Sequence, residues 1–248
     1  MRRLRVPQIP GVDAPLVFAV GVIFFFVALG LSDRAVDLRG QLCLGLVTWV
    51  VLALALRSLP AERRLQALLV VAVATCAEVI GSIIWGVYTY RLHNLPLFVP
   101  PGHGLVYLAG MRLSESVVLR RHPRALVRFT ALFAATWGLA GLVLLPRLDA
   151  GGALGVSVFL FFLFRCRAPT IYAGVFVVVA FLELWGTAIG LWQWHAVTPG
   201  LGLPMGNPPS GAVSGYVLFD IVAIAVTARI VGHRARRRLR AEPVPDMP

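Results

Sequence analysis

The stretch PLVFAVGVIFFFVALGL, residues 15–31, contains no charged side chain. Its length approaches the roughly 20 apolar residues that a helix needs to cross a hydrocarbon core of about 30 Å. Arg2, Arg3 and Arg5 precede it, a pattern shared with signal peptides, but the apolar run is long and no clear small-x-small cleavage site follows. We therefore expect this segment to be retained as a membrane anchor.

Similar apolar segments fill most of the chain. Of its 248 residues, 58% are hydrophobic and 14% are charged, whereas soluble domains average about 25% charged residues. The fold class expected is therefore all-α, a polytopic transmembrane bundle of about eight helices. Apolar runs between charged residues or Pro/Gly breaks place the spans near 15–32, 41–56, 66–88, 102–119, 125–145, 151–165, 169–192 and 211–231.

The chain has a net charge of +12 and contains Arg but no Lys. Along the chain, the predicted loops alternate between Arg-rich and Arg-poor. One set of loops and termini holds 18 Arg, the opposite set holds 4, and Arg112 falls within a predicted span. The positive-inside rule then predicts both termini in the cytoplasm and a multi-pass protein of the inner (plasma) membrane. The C-terminal Arg run is expected to contact anionic lipid headgroups, with no nucleic acid as partner.

One pattern occurs twice, with a period of about 105 residues. The first copy runs Glu78-x2-Gly81-x4-Gly86-x-Tyr88-x-Tyr90-Arg91 and precedes Pro100-Pro101-Gly102-His103. The second runs Glu183-x2-Gly186-x3-Gly190-x-Trp192-x-Trp194-His195 and precedes Pro208-Pro209-Ser210-Gly211. Two tandem, parallel four-helix repeats are predicted, over residues 1–119 and 120–240, followed by a disordered tail at 241–248. Sites in such folds lie at the repeat interface.

Several charged residues fall inside the predicted spans. Glu78 lies about twelve residues, or roughly 18 Å, into the third span, and Arg112 and Asp220 lie similarly deep in the fourth and eighth. Glu183 is somewhat nearer the outer side of the seventh. Because ionised groups at this depth are costly, they usually face the bundle interior and mark function. The expected catalytic set is Glu78, Glu183, Asp220 and Arg112; the alternative is a structural ion cluster in which Arg112 clamps Glu78 and Glu183.

The aromatic residues of the repeated pattern, Trp85, Tyr88, Tyr90, Trp192 and Trp194, have two interpretations. They form either an interfacial belt or the wall of a substrate pocket, to which His103 and Asn207 would add polar contacts. The five His residues show no metal-ligand spacing, and the three Cys residues form neither a disulfide framework nor a redox pair. We expect no metal and no cofactor.

Buried carboxyl groups beneath an aromatic vestibule suit two functions. A protonated acid can protonate an alkene or epoxide, aromatic faces can stabilise the carbocation, and a second carboxylate can then remove a proton. This predicts a membrane enzyme for cyclisation, hydration or isomerisation of a lipid-soluble isoprenoid, with Glu78 as proton donor and Glu183 or Asp220 as base. Alternatively, the acids exchange protons in a small proton-linked transporter or lipid-binding protein, or they only hold the repeats together.

The first copy, Glu78-x2-Gly81-x3-Trp85-Gly86-x-Tyr88-x-Tyr90 with Val99-Pro100 following, resembles the membrane proteins of carotenoid biosynthesis, the hydratase and lycopene-cyclase-like group. This resemblance implies cofactor-free chemistry on an isoprenoid. The chain is also similar in size to small integral-membrane terpene cyclases that use two membrane acids. That comparison implies that Glu78 and Asp220 form the acid pair.

Overall fold

A computed structural model describes residues 13–241, and the side chains of residues 13–233. The described chain is an all-α bundle with one short β-ribbon. Its helices are α1 Ala14–Ala35, α2 Leu38–Arg57, α3 Ala61–Glu78, α4 Val99–Glu115, α5 Val117–Arg121, α6 Pro123–Val143, α7 Ala150–Arg165, α8 Pro169–Ala188 and α9 Val213–Ala241. The π-helical turn Val79–Ile84 continues α3, and the strands are β1 Tyr88–Tyr90 and β2 Trp192–Trp194. Arg2, Arg3, Arg5 and residues 242–248 of the predicted tail lie outside the described residues.

Six helices in the described part of the chain are long and apolar enough to cross a membrane: α1, α2, α3 with its π-helical turn, α6, α8 and the 213–233 part of α9. The other two predicted spans correspond to shorter helices, α4 with 17 residues and α7 with 16. From Pro101 to Met111, α4 is buried on every side. It is therefore the central helix of the bundle.

The predicted fourth span, 102–119, is too long at its C-terminal end. The helix ends at Glu115 because Ser116 adopts an extended conformation (φ −57°, ψ 146°), and its hydroxyl accepts from the Leu119 backbone N–H to begin α5. The third and seventh spans also end earlier than predicted. Gly86 and Gly190 follow them in the left-handed conformation, with φ of 70° and 74°, which commonly terminates a helix.

Helices α3, α4, α8 and α9 meet at the centre of the bundle. Helix α4 packs against α8, and α9 packs against α3. In the sequence repeat, α3 corresponds to α8 and α4 corresponds to α9. The contact of α4 with α8 in one half is therefore the counterpart of the contact of α9 with α3 in the other. This reciprocity supports the duplication, while the division at residues 119 and 120 stays a prediction.

The α4–α8 contact is made between main chains. A Cβ atom on Gly110 would overlap the backbone of Val175, and one on Gly174 would overlap the carbonyl of Gly110. Small residues at a helix crossing allow this approach in membrane proteins, where dispersion contacts rather than hydrophobic transfer hold helices together. The crossing fixes the C-terminal half of α4 against the N-terminal half of α8.

Residues from the two predicted sets of loops lie at opposite ends of the bundle. At one end Arg63 pairs with Glu115, and Asp13 accepts from the backbone N–H of Val117 at 2.7 Å. At the other end Arg91 pairs with Asp33 at 3.2 Å. The loops predicted to be cytoplasmic thus share one end, and the orientation of that end in the membrane stays a prediction.

Candidate functional site

The two copies of the repeated pattern meet in the β-ribbon. Strands β1 and β2 are antiparallel, with Tyr88 opposite Trp194 and Tyr90 opposite Trp192. Both are cross-strand aromatic pairs, with ring centroids 4.5 Å and 6.4 Å apart. Pairs of this kind are a main source of stability in short ribbons. The alternating aromatic residues of each copy therefore lie on one face of the ribbon, beneath which α3 and α8 end.

In the first copy, the ribbon aromatics bind the buried carboxylate of Glu78. The hydroxyls of Tyr88 and Tyr90 both donate to Glu78 Oε2, each at 2.7 Å. Burial, and then the neighbouring Glu78 carboxylate, raise the pKa of Tyr88 and Tyr90 well above the ordinary value. Both hydroxyls therefore keep their protons and remain donors.

The second copy repeats this arrangement with different donors. The indole Nε1 groups of Trp192 and Trp194 donate to Glu183 Oε2 at 3.0 and 3.1 Å. Glu183 is only 4% exposed. Each carboxyl is thus oriented by two aromatic side chains from its own copy, which gives these four residues a specific contact inside the bundle.

The glycine three residues after each glutamate leaves space for the first aromatic ring. A Cβ atom on Gly186 would overlap the Trp192 indole, and one on Gly81 would lie 3.2 Å from the Tyr88 hydroxyl. One helical turn separates the glycine from the glutamate. The ring therefore crosses the helix at the glycine and reaches the carboxyl, which explains the Glu-x2-Gly spacing.

The first copy has one more residue than the second between its two glycines, and the π-helical turn Val79–Ile84 accommodates it. The Val87 N–H donates to the carbonyl of Gly81, six residues earlier, whereas the equivalent Leu191 N–H donates to Gly186, five residues earlier. A π-helical turn commonly holds a single extra residue within a helix. The extra residue thus leaves the register of Tyr88 and Tyr90 unchanged.

Deleting Ile83, which is 59% exposed, should convert the π-helical turn to an ordinary α-helical end. We expect folded protein at close to the wild-type yield, because the spacing becomes that of the second copy. Deletion of the exposed Ala188 from α8 should instead abolish folding, since no extra residue is present there and Trp192 and Trp194 would be rotated away from Glu183. Size-exclusion chromatography in detergent checks both, and equal yields would contradict this account of the turn.

His103 extends the Glu78 side of the site. Its Nδ1 lies 3.0 Å from the Val99 carbonyl and so carries a hydrogen, while its Nε2 lies 3.3 Å from Glu78 Oε1 without hydrogen-bond geometry. A neutral Nε2 and a carboxylate oxygen are both acceptors. The gap between them can therefore hold one proton. The ring of Tyr216 stacks on His103, with centroids 4.9 Å apart.

Both carboxyl groups open on one cavity of about 440 Å³, within the size range of small-molecule sites. Its wall is mainly apolar and aromatic. Of the residues predicted from the sequence, it contains Glu78, Trp85, Tyr88, Tyr90, His103, Glu183, Trp192 and Trp194. Residues that the sequence did not indicate are Tyr216 and Phe219 of α9, Trp185 of α8 and Phe26 of α1. None of these four is a defined position of the repeated pattern, so the sequence carried no signal for them.

Three predicted residues lie elsewhere. Arg112 is half-exposed in the last turn of α4, 3.2 Å from Glu115, nine residues and about 13 Å along the helix from His103. It therefore does not clamp Glu78 and Glu183. Asp220 is buried in α9 with no partner for Oδ2 among the described side chains, and it does not line the cavity. The Asn207 side chain accepts from the Trp194 backbone N–H at 3.0 Å and supports the ribbon from outside.

Buried polar contacts anchor the loops around the ribbon. Asp149 accepts from the Gly206 N–H and from both the N–H and hydroxyl of Ser210, all at 2.7 Å. Both Arg147 Nη atoms donate to the Trp194 carbonyl at 3.2 Å. These contacts fix the segment that joins β2 to α9 beside the ribbon. Among side chains 13–233, no three His, Cys, Asp or Glu residues are grouped closely enough to hold a metal ion.

Comparison of the chain with protein-family models, with curated proteins and with solved structures gave no match.

Proposed function

We propose that the protein is a membrane enzyme that performs cofactor-free acid–base chemistry on a lipid-soluble, isoprenoid-like substrate. One observation carries the proposal: two buried carboxyl groups, Glu78 and Glu183, open on a single apolar cavity lined by aromatic rings. An apolar wall excludes water from a reactive intermediate. Aromatic faces stabilise a carbocation through their quadrupole.

The hydrogen bonds favour opposite roles for the two glutamates. Glu78 accepts from two hydroxyls and faces His103, which suits a carboxylate, since bonds donated to the charged form favour it. Glu183 likewise accepts from two donors, the indole N–H groups of Trp192 and Trp194, but no histidine or arginine pairs with it among side chains 13–233. We therefore assign the proton donor to Glu183 and the base to Glu78 with His103, the reverse of the assignment made from sequence.

The proposed reaction conserves protons. Glu183 gives its proton to a carbon of an alkene, or to an epoxide oxygen, and becomes a carboxylate. Glu78 removes a proton from a carbon adjacent to the cation, and that proton is held between Glu78 Oε1 and His103 Nε2. The substrate is isomerised or cyclised without change in composition; in hydration, a water molecule would capture the cation and give its excess proton to Glu78.

A comparison of cellular lipids tests the proposal and does not require the substrate to be identified first. Lipids would be extracted from isoprenoid-producing cells that express wild type or Glu78→Gln at matched folded levels and analysed by mass spectrometry. We expect a product or mass shift only with wild type, because glutamine keeps the shape of the side chain but cannot take up the proton. Identical profiles across several such hosts would contradict the enzyme.

The second candidate, a proton-linked transporter, is favoured by Asp220, a further buried carboxyl that lies outside the cavity. Intramembrane acids of this kind often form proton relays. Uptake of an unmodified solute that depends on a pH gradient would support this candidate. In either case we propose that the Arg-rich end of the bundle contacts anionic lipid headgroups.

A further inference from the structure

The cavity wall has an exposed section at the π-helical turn. Ile80 and Trp85 both line the cavity, and yet they are 51% and 44% exposed on the outside of the bundle. Gly215 and Phe219 of α9 line the same cavity and are half-buried. These partly exposed lining residues indicate a gap in the wall between the π-helical turn and α9, through which the cavity reaches the outer surface.

The surface around this gap is apolar. Ile83 and Ile84 beside it are 59% and 73% exposed, and Ile80 belongs to the 61–84 segment that is long and apolar enough to cross a membrane. Exposed apolar residues of a spanning helix face lipid. The gap opens on the hydrocarbon region, with Trp85 at its end.

The equivalent wall of the second copy is closed. The residue two positions after the glutamate is Ile80 in the first copy and Trp185 in the second. Trp185 packs on Gly30 of α1, where a Cβ atom would overlap the indole, and stacks on Phe181. Within residues 13–241, no helix covers Ile80 in this way, so the described cavity has one closed wall and one open wall.

We propose that the gap between the π-helical turn and α9 is a lateral entrance through which a lipid-dissolved isoprenoid passes from the bilayer into the cavity. Passage through water would be unfavourable, because each CH₂ group of the substrate lowers its partition constant from an apolar phase into water severalfold. Lipid tails are as apolar as the cavity wall, so lateral entry avoids that barrier. The class of ligand assigned to this entrance, an isoprenoid, rests on the proposed function.

The entrance can be tested by changing the size of residue 80. Wild type and variants would be reconstituted in liposomes that contain a diazirine analogue of geranylgeraniol, irradiated, and mapped by peptide mass spectrometry. We expect adducts on the cavity-lining part of α9. Ile80→Trp should lower this labelling about tenfold, as a modest steric barrier would, and Ile80→Ala should raise it.

The matched control is Ile83→Trp, the same substitution at an exposed residue of the same turn that does not line the cavity. Labelling of α9 in this variant should equal that in wild type. Equal labelling of Ile80→Trp and Ile83→Trp, or wild-type adducts confined to the outside of the bundle, would overturn the entrance. Size-dependent labelling without any product that requires Glu183 would keep the entrance and contradict the catalytic proposal instead.

Discussion

Replacing Gly110 by valine is expected to remove most of the folded protein. The added side chain would overlap the backbone of Val175, and a main-chain atom cannot rotate away as a side chain can. Overpacking typically costs about 1–3 kcal/mol and more where the neighbours are rigid, against a total stability of about 5–15 kcal/mol. Because α4 carries His103 and α8 carries Glu183, separation of these helices would also take the site apart.

The control for this prediction is Gly21→Val. Gly21 lies in α1, it is exposed, and a Cβ atom there would meet no atom within 4 Å. We expect the Gly21 variant to give folded protein at the wild-type level. Folded yield and thermal stability in detergent measure both variants, and a Gly110 variant as stable as the Gly21 variant would show that α4 and α8 do not approach through their backbones.

Replacing Glu183 by glutamine is expected to lower turnover by about 10²–10⁴, the usual contribution of a general acid. Glutamine retains an oxygen that can accept from Trp192 and Trp194, so the cavity should keep its shape while losing the transferable proton. Turnover would be measured on purified protein in liposomes with the product identified by the lipid comparison.

Asp220→Asn provides the matched control, since it removes another buried carboxyl from outside the cavity. We expect this variant to retain most of its turnover. A loss equal to that of Glu183→Gln would instead favour the pairing of Glu78 with Asp220, and full turnover in Glu183→Gln would exclude Glu183 as the acid.

The helical bundle could be predicted from hydropathy because every spanning helix must satisfy its backbone hydrogen bonds internally and cover about the same thickness of lipid. The helix ends were less predictable. The predicted span ran on because the apolar residues 117–119 directly follow Ser116, and only the extended backbone of Ser116 ends α4 there. The shortness of α4 also follows from its position, since a helix surrounded by other helices does not have to match the bilayer.

Within the site, the repeated pattern predicted the carboxyl and aromatic residues because spacing along one helix and strand is a local property. Pairing between elements was not local. Depth in a span placed Arg112 beside the glutamates, whereas the end of α4 places it with Glu115. Tyr216 and the α1 wall were missed, since neither belongs to the repeated Glu–Gly–aromatic pattern and only packing of α9 and α1 brings them to the cavity.

Solvent deuterium in the lipid product tests the central claim most directly, that the cavity carboxyls transfer protons to and from carbon. Purified wild type or Glu183→Gln in liposomes would be incubated in D₂O buffer with the substrate of the product found in the lipid comparison, and the product would be analysed by mass spectrometry. We predict that, with an alkene substrate, wild type adds a deuterium to a carbon of the product and that the variant forms at most about a hundredth as much labelled product. A product formed from an alkene without solvent deuterium, or formed and labelled equally by the variant, would contradict acid–base catalysis by these residues.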